Sequence, residues 1–199
     1  MTWQDNLVRL SACNEAVEWA QNYETFPAAW KACKRGDWML WLAARSGVDR
    51  KVLVLAACAC ARTALKYVAK GEERPRVAIE TAERWARGEV TIAEVIAAAY
   101  AAYSAYTTYA VYAAYAADAV YAAAYAAYAA DADAAYAAAY ATYAAAYAGE
   151  ATYAAAYAAD AADATYAAAD ARIKSFARSA TLVRKHITAA MIEEGWAKP

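Results

Sequence analysis

The sequence predicts an all-α protein: an N-terminal bundle of short helices, a long alanine- and tyrosine-rich helical arm, and a C-terminal helix that packs back on the bundle. Three observations predict it. From Tyr100 to Asp170 the chain is nearly all alanine, tyrosine and carboxylate, and alanine is the best helix former because it loses no side-chain entropy. Between Thr91 and His186 there is no proline, and Gly149 is the single glycine. No stretch alternates apolar and polar side chains between turn signals, as a half-buried strand would. A chain of 199 residues is one large or two small domains. The pattern divides it into a bundle over 1–90, an arm over 91–171 and a closing helix over 172–199.

The bundle is punctuated by capping residues and glycines. Asp5 or Asn6 starts a helix running towards Gln21. Thr25 caps the next, with Pro27 tolerated in its first turn, and Gly36 ends it. Asp37 caps Trp38–Arg45, and Gly47 ends that helix. Asp49 caps a longer helix from Arg50 to about Ala69, stopped by Gly71. Pro75 starts another that runs to Arg87 and stops at Gly88. It carries a helical ion pair, Glu80 with Arg84. Thr91-Ile92-Ala93-Glu94 is a capping box that opens the arm. A bundle and a short solenoid both fit this block.

In the arm, tyrosine and carboxylate share the same slots. Tyr100, Tyr103, Tyr106, Tyr109, Tyr112, Tyr115, Asp118 and Tyr121 fall three apart. A three-residue step lines one face only on a 3-10 helix, where i and i+3 eclipse. On an α-helix it carries the rings around the axis. Both an α-helix ringed by tyrosine and a local 3-10 tightening over 100–121 remain open. With Asp133 set aside, Tyr121 to Asp170 is 49 residues in 14 steps, about 3.5 per step, the period of a left-handed helical seam. Its rings include Tyr121, Tyr125, Tyr128, Tyr136, Tyr140, Tyr143 and Tyr147, the candidates for self-association. Sixteen of the 18 tyrosines lie here. A lone helix would leave most of them in water, so a hairpin, coiled assembly or homo-oligomer is expected. The last helix, from Arg172 to Met191, regains Ile173, Phe176, Ala180, Val183 and Ile187 at helical spacing.

Net charge is −1, but its layout is uneven. Residues 1–90 carry 14 basic and 11 acidic side chains, residues 91–171 carry eight acidic and no basic ones, and residues 172–199 carry six basic and two acidic ones. An arm without cations cannot meet phosphate, so no nucleic acid is expected there. Asp5 and Arg9 interrupt any signal-like apolar run. Residues 95–117 are uncharged, but alanine and tyrosine do not suit a bilayer centre. No membrane partner and a cytoplasmic location are expected.

Chemistry-bearing residues are few. On a helix the Cys58 and Cys60 thiols point roughly 200° apart, so Cys13, Cys33, Cys58 and Cys60 read as buried reduced thiols rather than a metal set. His186, the only histidine, reads as a surface or capping residue near a helix end. Asp131, Asp133, Asp160, Asp163 and Asp170 lack the glycine-containing loop of a calcium site and read as a solvated face. No nucleophile–base pair, metal set or phosphate loop is present, so neither an enzyme nor a cofactor is expected. The aromatic and basic cluster of residues 30–51 is the candidate partner surface: Trp38, Trp41, Arg45 and Arg35 are of types enriched at interaction hot spots. The plain alternative makes the tryptophans core and the cations their solvated rim.

Several phrases carry a family resemblance. They are Asp37-Trp38-Met39-Leu40-Trp41-Leu42-Ala43, Ala56-Ala57-Cys58-Ala59-Cys60-Ala61-Arg62, Arg74-Pro75-Arg76-Val77-Ala78-Ile79-Glu80, Glu83-Arg84-Trp85-Ala86-Arg87-Gly88-Glu89 and Val183-Arg184-Lys185-His186-Ile187. Together they resemble a bacterial family of immunity-five-like proteins, over the N-terminal block and the last helix. The resemblance implies a small helical protein that neutralises a toxin by binding it. It brings no catalytic motif, so no functional residue is carried over. The expectation is a non-enzymatic interaction protein whose partner is a toxin. The alternative is a structural protein that assembles with itself into a bundle or filament through the arm.

Overall fold

Helix α5 (Arg50–Ala61) is the centre of the fold. The computed structural model describes residues 2–68, 70–109 and 161–197, and its described residues are helical, with no strand among them. Asp49 starts α5 by accepting from the Lys51 and Val52 backbone N–H groups at 2.8 and 3.4 Å. Leu53, Val54, Ala56, Ala57, Cys58, Cys60 and Ala61 are all buried. A helix apolar on most sides belongs inside a bundle, and its alanines and cysteines let neighbouring axes approach closely. Three helices pack on it: α4 (Gly36–Arg45), α6 (Arg74–Ala86) and α8 (Ala161–His186). The Cys58 thiol donates to the Ile79 carbonyl of α6 at 3.7 Å, and the Cys60 thiol to the Ser179 carbonyl of α8 at 3.8 Å. The two thiols therefore face different neighbours, and burial pushes the Cys58 pKa far up. Cys13 departs from the expectation of four buried thiols, because it is exposed.

The first expected helix is two: α1 (Trp3–Arg9) and α2 (Asn14–Ala20). Thr2, not Asp5 or Asn6, caps α1, and the Asp5 carboxylate closes the capping box. Ser11, with φ 63°, breaks the run. Helix α3 (Phe26–Ala32) begins after Thr25 with Pro27 in its first turn, but Gly36 does not end it. Gly36 is the first residue of α4, and Asp37 sits in that helix's first turn instead of capping it. Close packing explains the glycine: a Cβ there would lie 2.7 Å from Ser179 Cβ and 2.8 Å from the Ala180 nitrogen of α8. Gly47, with φ +75°, follows the end of α4.

Helix α5 stops at Ala61, short of Ala69, and tightens into a 3-10 segment over Arg62–Tyr67. A bidentate pair from Arg62 to Glu83, at 2.8 and 2.7 Å, ties this segment to α6. On α6, Arg84 turns to Glu89 at 3.6 Å. Thr91 and Glu94 form the expected capping box: the Thr91 N–H donates to Glu94 Oε2 at 2.8 Å and the Glu94 N–H to Thr91 Oγ1 at 3.4 Å. Helix α7 (Ile92–Tyr109) follows and packs on α6 through Val95, Ala99 and Ala102. The three-residue steps from Tyr100 to Tyr109 thus lie on α-helix, not 3-10. The rest of the repeat, 110–160, lies outside the described residues.

Helix α8 does not continue to Met191. It ends at His186, and Thr188 caps a separate α9 (Ala189–Trp196) by accepting from the Met191 N–H at 3.3 Å. Val183, Ile187 and Ile192 are fully buried. Helix α9 packs on α3 and α4. Its Gly195 lies so close to the end of α4 that an added Cβ would fall 1.7 Å from the Ser46 carbonyl oxygen.

His186 is half-buried at the end of α8. Burial first, and then Lys185, lower its pKa from 6.5, with Glu83 pulling the other way. A folded pKa below the unfolded one means the unfolded chain binds more protons. This contribution to stability is present above the unfolded pKa of about 6.5 and is lost as pH falls through it. The melting temperature should therefore drop between roughly pH 7 and pH 5.5, and His186→Gln should flatten that part of the curve. An unchanged slope in the variant would assign the effect to other groups.

Candidate functional site

Helices α1 to α4 enclose an apolar cleft of about 370 Å³. Five of the seven tryptophans line it: Trp3, Trp19, Trp30, Trp38 and Trp41. The left-handed Ser11 makes its lip. It turns the chain between α1 and α2, and Leu7, Ala12, Cys13 and Ala16 beside it also line the cleft. Side chains of α1 anchor that helix to the α2–α3 connection: Trp3 Nε1 donates to the Glu24 carbonyl at 3.2 Å and Gln4 Nε2 to the Tyr23 carbonyl at 3.0 Å.

Phe26 is the hub of the aromatic wall. Its ring centroid lies 5.5 Å from Trp3, 5.8 Å from Trp30 and 4.6 Å from Trp196, the last edge-on. Across the cleft, Trp19 meets Trp38 edge-on at 6.1 Å and Tyr23 at 4.7 Å. Tilted and edge-on pairs of this kind hold rings in place beyond what area burial supplies. The walls are therefore stiff, and a ligand would meet ring faces and edges already positioned.

Charge in the cleft is cancelled locally. Asp37, only 8% exposed, lines it. The Arg35 guanidinium donates to both of its carboxylate oxygens, at 2.9 and 2.6 Å. Burial works against the Arg35 cation, but the hydrogen bonds and charge of Asp37, helped by Glu15 and Cys13, outweigh it and hold the pKa above its ordinary value. The same guanidinium lies 4.3 Å over the Trp38 ring and 4.7 Å over the Phe176 ring of α8, and reaches Glu15 of α2 at 3.4 Å. Burial pushes the Cys33 thiol pKa up, against its hydrogen bond with Arg35. The thiol is thus protonated at neutral pH. Another arginine, from α8, braces the end of α3 beside the cleft. Arg184 Nη1 donates to the Trp30 and Cys33 carbonyls at 3.2 and 2.8 Å, at the C-terminal end of α3.

Two of the four expected partner residues, Trp38 and Trp41, line the cleft, each partly exposed. Arg45 is exposed with its guanidinium 5.9 Å from the Trp41 ring. Arg35 is not a free cation on the surface, because it is engaged within the protein on three sides. Trp30, from the same aromatic and basic cluster, and Trp3 and Trp19, which lie outside it, complete the cleft. The one sequence signal for them is the concentration of six of the seven tryptophans before residue 90. Phe176 and Arg184 carry no local signal, since their partners lie more than 130 residues earlier. Tyr121, Tyr125, Tyr128, Tyr136, Tyr140, Tyr143 and Tyr147, named for self-association, lie outside the described residues, as do Asp131, Asp133 and Asp160.

Among the described residues, no three His, Cys, Asp or Glu side chains gather as a metal site, and no helix is long and apolar enough to cross a membrane. Comparison with family models, curated proteins and solved structures returns no match. The resemblance to immunity-five-like proteins rests on the quoted phrases alone.

Proposed function

We propose that this protein is a non-enzymatic binding module of the immunity type, and that its cleft takes an uncharged aromatic or aliphatic anchor from a partner protein, a toxin. The observation that carries this reading is the cleft itself: about 370 Å³ walled by five tryptophans, its one carboxylate neutralised by Arg35. The volume falls within the range of ligand sites, and tryptophan and arginine dominate interface hot spots. Covering the 150–250 Å² of one aromatic side chain is worth roughly 4–6 kcal/mol before ordering costs. The internal pairing of Asp37 with Arg35 leaves no net charge for the anchor to answer. Association through the cleft is therefore insensitive to salt, unlike a contact that steers by charge.

Selection of displayed random peptides against the immobilised full chain tests the reading. Peptides with adjacent large apolar residues and no required charge are expected. Ala16→Trp, which fills the cleft from α2, should abolish their binding without unfolding the chain. Selected peptides defined by charge, or binding that survives Ala16→Trp, would sink the assignment of the cleft.

A further inference from the structure

We propose that α8 sets the shape of the cleft, and that Arg35 is the positioning residue through which it does so. This coupling presupposes that the cleft is the binding site. Helix α8 contributes no side chain to the cleft lining, yet it grips both walls from behind. On one wall, the Arg35 guanidinium lies 4.7 Å from the Phe176 ring and 4.3 Å from the Trp38 ring. On the other wall, Arg184 holds the Trp30 and Cys33 carbonyls. The two grips are eight residues apart, about 12 Å along the helix.

The chemistry at the first grip requires arginine. A guanidinium is planar, so it can lie against two rings while its edge donates to both oxygens of Asp37. Lysine keeps the charge but cannot do both. Because Asp37 and Trp38 line the cleft while Phe176 does not, Arg35 joins the lining to a helix outside it. A displacement of α8 moves Phe176, removes one ring contact of Arg35 and frees the Trp38 indole. By the same linkage, an anchor that fits beside Trp38 holds α8 in place.

Two readouts on the full chain test this. The first needs no ligand. In protein labelled with 5-fluorotryptophan, the fluorine resonance of Trp38, assigned through Trp38→Phe, is expected as one narrow line. Phe176→Leu and Arg35→Lys should shift or broaden it alike, and the double variant should change it no further. Ile173→Ala, an exposed site on the same helix, should leave it unchanged. The second readout is titration with the uncharged dye N-phenyl-1-naphthylamine. Affinity should fall about tenfold in Phe176→Leu and in Arg35→Lys, and stay as in the parent in Ile173→Ala. A Trp38 line that ignores Phe176→Leu, or that responds equally to Ile173→Ala, overturns the coupling whatever the dye does. A parent protein that does not bind the dye overturns the cleft as an apolar site, while the fluorine spectrum still decides the role of Arg35. Should Arg35→Lys fail to fold, Phe176→Leu against Ile173→Ala carries the same decision.

Discussion

Gly195→Ala is expected to cost about 3 kcal/mol of stability, at the upper end of what overpacking does. The new methyl would sit 1.7 Å from the Ser46 carbonyl oxygen and 2.8 Å from its carbonyl carbon. Both are backbone atoms, so no side chain can swing away, and α9 must lift off the end of α4. Gly36→Ala has the same cause at the crossing of α4 with α8 and should cost about 2 kcal/mol. Gly47→Ala is the control. Nothing lies within 4 Å of its added methyl, and only the left-handed backbone is strained, at about 1 kcal/mol. Urea unfolding of the three variants checks the order. If Gly195→Ala loses no more than Gly47→Ala, α9 is not seated on α4 as described.

Arg184→Ala should lose about 3 kcal/mol. One guanidinium nitrogen satisfies the carbonyls of Trp30 and Cys33, and hydrogen bonds from a charged donor are worth about 1.5–3 kcal/mol each before relaxation. Removing the donor leaves two acceptors at the end of α3 without their cation, which also answers the helix dipole there. The loss should be visible in tryptophan fluorescence, because Trp30 and Cys33 belong to the cleft wall. Arg184→Lys should recover part of the stability, since an ammonium keeps a charged donor at the end of α3 but lacks the fixed planar geometry of the guanidinium. An alanine variant as stable as the parent would mean that solvent replaces the arginine at no cost.

The helical class was legible because it depends on local chemistry. The Asp49 cap, the Thr91–Glu94 box and the left-handed Gly47, Gly71 and Gly88 stand where the residues place them. The errors came where a distant helix decided. Gly36 reads as a stop, but it is a contact: α8 crosses so near that no side chain fits. The break at Ser11 gave no warning either, since serine rarely takes a left-handed backbone. Trp38 and Trp41 were picked out on residue type, whereas the enclosure around them is a product of α1, α2 and α3 meeting. The cancellation of Arg35 by Asp37 follows from neighbours two positions apart. The contact of Arg35 with Phe176 required knowing the path of α8.

That path has a consequence for how the chain is made. The face of α5 that holds Cys60, and the crossing at Gly36, are covered by α8, whose first described residue is Ala161. Synthesis runs from the N-terminus at about 5–20 residues per second. The first four helices and α5 thus emerge roughly 5–20 s before the helix that seals them. During that interval their apolar faces stand open, and the tyrosine-rich stretch is translated into the gap. The ribosome itself therefore imposes a waiting time on this fold, and lengthening or shortening the stretch changes that wait in proportion.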